Sequence, residues 1–321
     1  MSYAKSNIIS AADLNAAGVT GVAAASSAAA TNSAAYLWGV GYGDRGYGET
    51  TPAMSTKQAG SIVASSDWTN LRTILSSLAT WQGTTATLLP PSTAFSAGTQ
   101  AQAHAAGNTS YDLPTLTSTL DTNRLNYNVA NMTATASAAS TTRSTTWGSG
   151  ATGITCEFTV TFADENAARY FFNTGGEIRI FLSHPNTTSS RNTSWNTVLN
   201  GFVASFKANA TARTGGSYGA AQAIGYYQLT TNYQVVVDGT NTGVSPYGVN
   251  DFYVDAKAST ITGLNGAKGS VLNFRVRLVD EQTNAFSDIV ASGTVATLGH
   301  LRATAVLTAK AAPTCTVLTA F

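Results

Sequence analysis

The stretch TVTFADENAARYFFNTGGEIRIFLSH, residues 159–184, changes its hydrophobic period twice, and this change decides the fold class. Apolar side chains alternate with threonines over residues 158–162, which is the pattern of a strand with one buried face. The carboxylate of Asp164 can then accept the free backbone N–H groups of a short helix. Residues 173–176, with Gly175 and Gly176, can end this helix because a glycine can take the left-handed conformation. Residues 178–182 alternate again. The sequence therefore predicts a strand, a short helix and a second strand.

Alternating segments of the same kind continue to the end of the chain. They predict strands at residues 156–162, 178–183, 224–230, 233–237, 251–257 and 271–279, with further strands within 288–321. Turn-forming pairs such as Asp238-Gly239 separate these segments. Over residues 271–279 polar and apolar side chains alternate, so one sheet face is solvated and the other is buried. We therefore predict an α+β protein whose short-helical N-terminal region precedes a mostly antiparallel β-sandwich-like domain with one short helix.

Three regions follow from the changes in composition. Residues 1–130 are rich in Ala, Ser and Thr, and we expect them to form an N-terminal docking region of helices and loops. Helix starts are predicted in the segments that begin at Ile8 and Ser61, and another helix near residues 120–131. In the second of these helices one apolar stripe is predicted, formed by Trp68, Leu71, Leu75 and Leu78.

A low-complexity segment separates the helical region from the strands. Residues 131–153 are nearly uncharged and contain mainly Ala, Ser, Thr and Gly. Such a composition indicates either a boundary between domains or a solvated edge strand. The β-rich domain then comprises residues 154–321.

The charge content is unusual for a protein of this length. Only 10% of the 321 residues are Asp, Glu, Lys or Arg, whereas an ordinary soluble domain has about 25%. Copies with so few charges pack together with little electrostatic penalty, which favours an assembled or extracellular protein over a cytosolic enzyme. The net charge of +1 gives no footprint for nucleic acid. No apolar run approaches the length of a membrane span, and the N-terminus lacks the apolar segment of a signal peptide.

Residue types that carry chemistry do not occur in a recognised catalytic or ligand spacing. The histidines lack a metal-ligand pattern, and no serine lies in a nucleophile elbow. Cys156 and Cys315 are far apart in sequence, and two separate thiols are favoured over a disulfide. Acidic side chains that a glycosidase would need do occur, but each has a structural explanation. These candidate acids are Glu165, Glu177, Asp251 and Asp255. We predict no catalytic residue, no metal and no cofactor.

Two aromatic segments are candidate contact regions. The segment YLWGVGYGDRGYGETTP interleaves glycines with large aromatic side chains, which favours docking to a partner chain or, equally, an internal packing loop. Its candidate contacts are Tyr36, Trp38, Tyr42 and Tyr47. A second group near the predicted sheet provides aromatic surfaces on which sugars stack, although half of them are expected in the core. These candidate glycan contacts are Tyr226, Tyr227, Tyr233, Tyr247 and Tyr253.

Several segments together resemble virion structural proteins of tailed bacteriophages, especially those of large marine myoviruses. They are MSYAKSNIISAADLNAA, GYGDRGYGE, GSIVASSDWTNLRTIL, WQGTT, NRLNYN, ARYFFNTGGEIRI and FRVRLVDE, in this order along the chain. The resemblance implies a non-enzymatic particle protein of the tail, neck, baseplate or fibre attachment. It also implies synthesis in the host cytoplasm, localisation in the virion, and assembly with other phage structural proteins and with copies of itself.

Two alternatives remain open at this point. The first is a receptor-recognition fibre protein that binds a host surface glycan through the second tyrosine group. The second, less favoured, is a tail enzyme that degrades polysaccharide. For the homo-oligomer we expect a trimer first, with residues 36–47 at or near a subunit contact.

Overall fold

A computed structural model of the chain forms two compact units. The N-terminal unit consists of residues 1–132 with 303–310, and the sandwich unit consists of residues 133–302 with 311–321. The predicted helix start at Ile8, and also His104, lie outside the described residues. The residues that the structure describes are 34–54, 62–91, 113–148, 153–216, 218–282 and 289–321.

The described part of the N-terminal unit contains helices α1 (Ala34–Trp38), α2 (Ser65–Gln82) and α3 (Leu113–Thr122). At the start of α2 the Asp67 carboxylate accepts the Ala64 backbone N–H at 2.8 Å, and the helix ends at Gly83 with a φ of 68°. The predicted stripe of α2 is buried in the core of this unit. The helix expected near residues 120–131 corresponds to α3, which already ends at Thr122. A short 3-10 turn (Val129–Asn131) lies at the end of the expected range.

The sandwich unit consists of two antiparallel sheets. The five-stranded sheet has the order β1-β10-β3-β4-β5, and the six-stranded sheet has the order β11-β2-β9-β8-β7-β6. The strands are β1 (Met132–Thr142), β2 (Gly153–Thr161), β3 (Glu177–Ser183), β4 (Phe202–Phe206), β5 (Thr211–Thr214), β6 (Ala220–Ala221), β7 (Gln234–Gly239), β8 (Asp251–Ala258), β9 (Val271–Val279), β10 (Val295–Ala303) and β11 (Thr314–Thr319). The predicted α+β, mostly β, sandwich-like fold class is therefore confirmed.

The opening stretch carries the chain from one sheet to the other. Strand β2 belongs to the six-stranded sheet and β3 to the five-stranded sheet, and helix α4 (Glu165–Asn173) connects them. Asp164 Oδ1 accepts the Ala167 N–H at 2.7 Å, and Gly175 takes a φ of 74° immediately after the helix. Phe171 and Phe172 of α4 are buried among aromatic rings of the core. The predicted cap, helix and glycine stop are confirmed.

Some elements differ from the sequence prediction. A second helix, α5 (Ser190–Leu199), lies between β3 and β4, and Ser, Asn and Thr occupy most of its positions. The strand predicted at 224–230 is wrong, because a 3-10 turn (Tyr226–Gln228) occupies its centre. The backbone N–H groups of Tyr226 and Tyr227 bond to the carbonyls of residues 207 and 208. The low-complexity segment contributes the edge strand β1, one of its two predicted interpretations.

Candidate functional site

The aromatic-glycine loop is held in place within the N-terminal unit. The Arg45 guanidinium pairs with Asp121 at 2.9 Å, and Arg124 pairs with Asp44 at 2.7 Å. Gly46 has a φ of 101°, and a Cβ there would collide with the preceding loop backbone, so this position requires glycine. These contacts fix the loop on the unit's own helices.

Three of the four aromatic candidates of this loop are buried. Tyr36 and Trp38 are nearly inaccessible, and Tyr47 is fully buried. The Tyr47 hydroxyl donates to the Arg124 carbonyl at 2.5 Å and accepts from Gln82 Nε2 at 3.0 Å. Only Tyr42 is exposed, at 38%. Tyr47 is therefore packed inside the N-terminal unit, and a subunit contact of this loop stays a prediction that depends on Tyr42.

A cavity of about 440 Å³ lies beside the loop in the N-terminal unit. Its lining is mainly apolar and includes Tyr36, Trp38, Met54 and Ile74. The buried Trp38 Nε1 has no hydrogen-bond acceptor among the described residues. The cavity is suited to an apolar group, since its one acidic side chain, Glu49, is engaged by Lys310 Nζ at 2.5 Å and by Thr308.

The second tyrosine group is divided between the core and one sheet face. Tyr226 and Tyr247 are buried, and neither offers a ring surface to a glycan. Tyr227 is half-buried and donates its hydroxyl hydrogen to Asn173 Oδ1 at 2.7 Å. Tyr233 and Tyr253 lie on the outer face of the six-stranded sheet, where each contacts an arginine of β9. Tyr226 and Tyr227 contact each other, with ring centroids 5.1 Å apart, but only Tyr233 and Tyr253 share the outer sheet face.

In this tyrosine-arginine face, formed by Tyr233, Tyr253, Asp255, Arg275 and Arg277, two arginines share one carboxylate. The buried Asp255 carboxylate accepts from Arg275 Nε at 2.9 Å and from Arg277 Nε at 2.7 Å. The guanidinium carbons lie 4.1 Å above the Tyr233 ring centroid and 4.4 Å above that of Tyr253. Lys257 Nζ also lies 4.5 Å from the Tyr233 ring centroid, so two cations contact the Tyr233 ring and one contacts the Tyr253 ring.

Burial raises the pKa of the Tyr233 hydroxyl. Partial burial, with the nearby Glu157 charge as the next cause, raises the pKa of Tyr233 to about 12. The phenol therefore stays protonated at neutral pH, as it does in an ordinary tyrosine. A neutral hydroxyl can both donate and accept a hydrogen bond from a polar ligand.

A buried polar cluster next to α5 has a structural role. Both ring nitrogens of His184 are 2.9 Å from hydrogen-bonding oxygens, Thr294 Oγ1 and Asn192 Oδ1. Burial lowers the pKa of His184, which favours the neutral ring. Nearby, buried Arg191 lies 3.5 Å from the Asp280 carboxylate. Arg191 also donates to the Gly148 carbonyl at 2.7 Å, so the cluster connects α5 with the chain on both sides of it.

Each of the four candidate acids is engaged by neighbouring groups. Glu165 accepts from the Thr262 backbone N–H at 3.0 Å, whereas Glu177 pairs with Arg179 at 2.8 Å and with Lys207. The Asp251 carboxylate accepts from the Tyr253 hydroxyl at 2.7 Å. The fourth acid, Asp255, pairs with the two arginines of the tyrosine-arginine face. All four carboxylates therefore connect elements of the sandwich unit.

The two sides of the sandwich are built differently. On one side, here the closed side, backbone hydrogen bonds join the sheets: the Thr211 N–H donates to the Gln222 carbonyl at 3.1 Å, and the Gln222 N–H donates to Val236 at 3.0 Å. Gln222 directly follows β6, and its backbone therefore links β5 of one sheet to β7 of the other. A strand docking there would meet backbone groups that are already paired.

On the opposite side, here the open side, the sheets end at β1 and β11. Among the described residues β1 pairs only with β10, and β11 pairs only with β2. The backbone N–H of Phe321 donates to Thr141 Oγ1 at 3.3 Å, which places the two edge strands next to each other. Five of the six side chains of β11 are exposed. Neither strand contains a charged residue or a proline.

The open side was not identified by sequence reasoning. The segment of β1 was predicted as a boundary or edge strand, and β11 was only one of several strands expected within 288–321. Which strand lacks a neighbour depends on the sheet order, which the alternation of side chains does not encode. The absence of charge over residues 132–142 and 314–319 was a visible signal, since solvent-exposed edges usually carry charges.

No family model, no curated protein and no solved structure matches this chain. Within the described ranges, no group of three or more His, Cys, Asp or Glu side chains is placed to hold a metal ion. In the same part of the chain no helix combines the length and apolar character needed to cross a membrane. Both cysteines are free thiols, with Cys156 buried and Cys315 half-buried.

Proposed function

We propose that this chain is a non-enzymatic structural protein of a tailed-bacteriophage particle and that it assembles through the open side of its sandwich. The observation that carries the proposal is the pair of uncharged edge strands, β1 and β11, whose outer backbone groups have no strand partner among the described residues. Such edges are templates for pairing with another chain. The resemblance of the sequence to phage virion proteins supports the same function.

Strand β1 lacks the features by which monomeric proteins avoid edge pairing, whereas β11 is shorter and less regular. Natural edges are usually blocked by Lys, by Pro, by short length or by a covering element. Strand β1 instead runs over 11 residues, and its side chains are mostly exposed Ala, Ser and Thr. Strand β11 has a register irregularity only near its end, between Val317 and Thr319. An assembling protein retains such edges because they are covered in the particle.

Mass spectrometry of purified phage particles tests this function. We expect peptides of the chain in intact particles, at a copy number comparable with those of other tail, neck or baseplate proteins. Particles that lack the chain after production in cells that contain it would contradict the proposal. A sharper version complements a deletion of the gene with wild type, Thr316→Lys or Ala221→Lys. Because Thr316 lies on β11 and Ala221 on the closed side, only the first substitution is expected to reduce particle yield.

The tyrosine-arginine face supports a second candidate function, recognition of a host surface glycan. The specific observation is that Tyr233 and Tyr253 share one sheet face with Asp255 and two arginines. Aromatic rings beside charged hydrogen-bonding groups are suited to sugar stacking. Glycan-array binding that is lost in Tyr233→Ala and Tyr253→Ala, but kept in Tyr227→Phe, is the expected result. Equal binding by all three variants would contradict this function.

A further inference from the structure

The open side has one feature that restricts what can bind there: both sheets end at it together. Strands β1 and β11 are the terminal strands of the two sheets, and the contact between Phe321 and Thr141 joins them. A partner that supplies one strand can extend only one sheet. A partner that presents two neighbouring strand edges can extend both.

We propose that the partner of the open side is a second copy of this chain, with β11 paired antiparallel to β11 and β1 paired antiparallel to β1. This inference rests on the proposed function and names its partner. One two-fold axis perpendicular to the sheets produces both pairings, because a strand meets its own copy antiparallel across such an axis. The copy presents two neighbouring strand edges, as the geometry requires.

The charge distribution favours self-pairing. Across a two-fold axis each residue near the axis meets its own counterpart, so any charge there would meet the same charge. Like charges opposite each other on paired strands are destabilising. Neither β1 nor β11 contains an Asp, Glu, Lys or Arg, although the chain has 33 of them, 17 basic and 16 acidic. Self-pairing therefore introduces no like-charge contact between the strands.

The closed side limits the assembly to a pair. A head-to-tail array would require β11 of one copy to pair with the opposite edge of the next copy. That edge is the two-residue strand β6, and the backbone next to it is already bonded through Gln222 to Thr211 and Val236. Isologous pairing uses one surface twice and ends there, whereas heterologous pairing continues into rings or fibres. The unit built at the open side is therefore a dimer, not the expected trimer.

Cys315 is a native probe for this arrangement. It lies in β11 and is half-buried, whereas Cys156 is fully buried, and the chain has no other cysteine. With antiparallel β11 pairing centred on the strand, the two Cys315 Cα atoms lie within about 12 Å, given the usual strand rise and spacing. A short bismaleimide can join two thiols at that separation. The full-length purified chain is treated with this reagent and analysed by gel and by sedimentation.

Matched lysine variants separate this contact from any other. Thr316 and Ser137 lie at or near the centres of β11 and β1, and both are exposed. Lysines at these positions come close to their counterparts across the axis, so Thr316→Lys and Ser137→Lys should each weaken self-association by about tenfold or more. Ala221→Lys adds the same charge to the exposed closed-side strand β6 and should leave self-association unchanged. Circular dichroism checks that each variant keeps the wild-type fold.

The expected result is a Cys315-linked dimer in wild type and in Ala221→Lys, with strongly reduced yield in the two edge variants. A chain that remains monomeric and uncrosslinked up to its solubility limit overturns the inference. Self-association that all three lysine variants retain also overturns it, because the contact then lies elsewhere. If particles contain the chain but Cys315 crosslinks only to a different virion protein, the second-copy partner is rejected and the proposed structural function stands.

Discussion

The closed and open sides of the sandwich differ in how they satisfy the backbone. On the closed side the Gln222 backbone bonds to both Thr211 and Val236, so hydrogen bonding continues from one sheet to the other. On the open side β1 and β11 each have one strand neighbour among the described residues. A backbone group that is already hydrogen-bonded gains no stability from a new partner, whereas an unpaired strand edge is stabilised when another strand pairs with it. The closed side is therefore completed within the chain, and the open side is where we propose that assembly takes place.

The largest expected effect tests the closed side through Tyr226, which packs where the sheets are joined. Its ring stacks on Phe172 at 4.6 Å, and its hydroxyl donates to the Gly269 carbonyl at 2.9 Å. Tyr226→Ala should lower the free energy of unfolding by about 3–5 kcal/mol, as other large-to-small aromatic substitutions in cores do. Urea unfolding measures this change. A loss below about 1 kcal/mol would mean that the closed side contributes little to folding.

A second prediction tests the charged groups at the centre of the six-stranded sheet, between the closed and open sides. Asp255→Ala removes the carboxylate that both Arg275 and Arg277 contact. Because these guanidinium groups remain about 30% accessible, water can replace part of the lost interaction. The expected loss is about 1–3 kcal/mol in the free energy of unfolding. Thr155→Ala, an exposed change in β2 of the same sheet, is the control and should stay within about 0.5 kcal/mol.

Cysteine labelling compares an open-side thiol with a core thiol. Burial raises the pKa of Cys315 to about 11, and it also raises the pKa of the fully buried Cys156. The thiolate is the reactive form, so alkylation of Cys315 should become about tenfold faster for each pH unit between 7 and 10. Cys156 should stay unlabelled until the protein unfolds. Mass spectrometry of iodoacetamide-treated protein gives both rates, and faster labelling of Cys156 would contradict the assigned positions.

The smallest effect is expected for an exposed residue on the open side. Leu318 is 58% exposed at the end of β11. Leu318→Ala should change the free energy of unfolding of the monomer by less than about 0.5 kcal/mol, because little buried area is lost. Urea unfolding at low protein concentration measures it. A loss above about 2 kcal/mol would show that the open side is packed against another part of the same chain.

The sequence predicted the elements of the sandwich unit better than their arrangement. The alternation in β2, β3, β8 and β9 was clear because each strand has one buried face, and the Asp164 cap defined the start of α4. Helix α5 was missed because its apolar residues Trp195, Val198 and Leu199, although at helical spacing, lie only in its second half, while the buried positions of its first turn are polar.

The candidate contact residues were harder to predict. An aromatic side chain has the same identity in a core and on a surface, so Tyr226 and Tyr247 could not be distinguished from Tyr233 and Tyr253 by sequence. Burial of Tyr47 depends on Gln82 and Arg124, which lie far from it along the chain. The open side depends on which strands come last in each sheet. That order results from long-range packing, which local periodicity does not specify.

Hydrogen exchange at increasing protein concentration tests the central claim most directly, because it reports which backbone amides become paired on assembly. The account predicts that exchange slows with concentration in β1 and β11, while the amides of β5, β6 and residue 222 keep the same rates. Thr316→Lys should remove the concentration dependence, and Ala221→Lys should keep it. Concentration-independent exchange at both open-side strands in a chain that still self-associates, or protection that appears at β5 and β6 instead, would contradict the account.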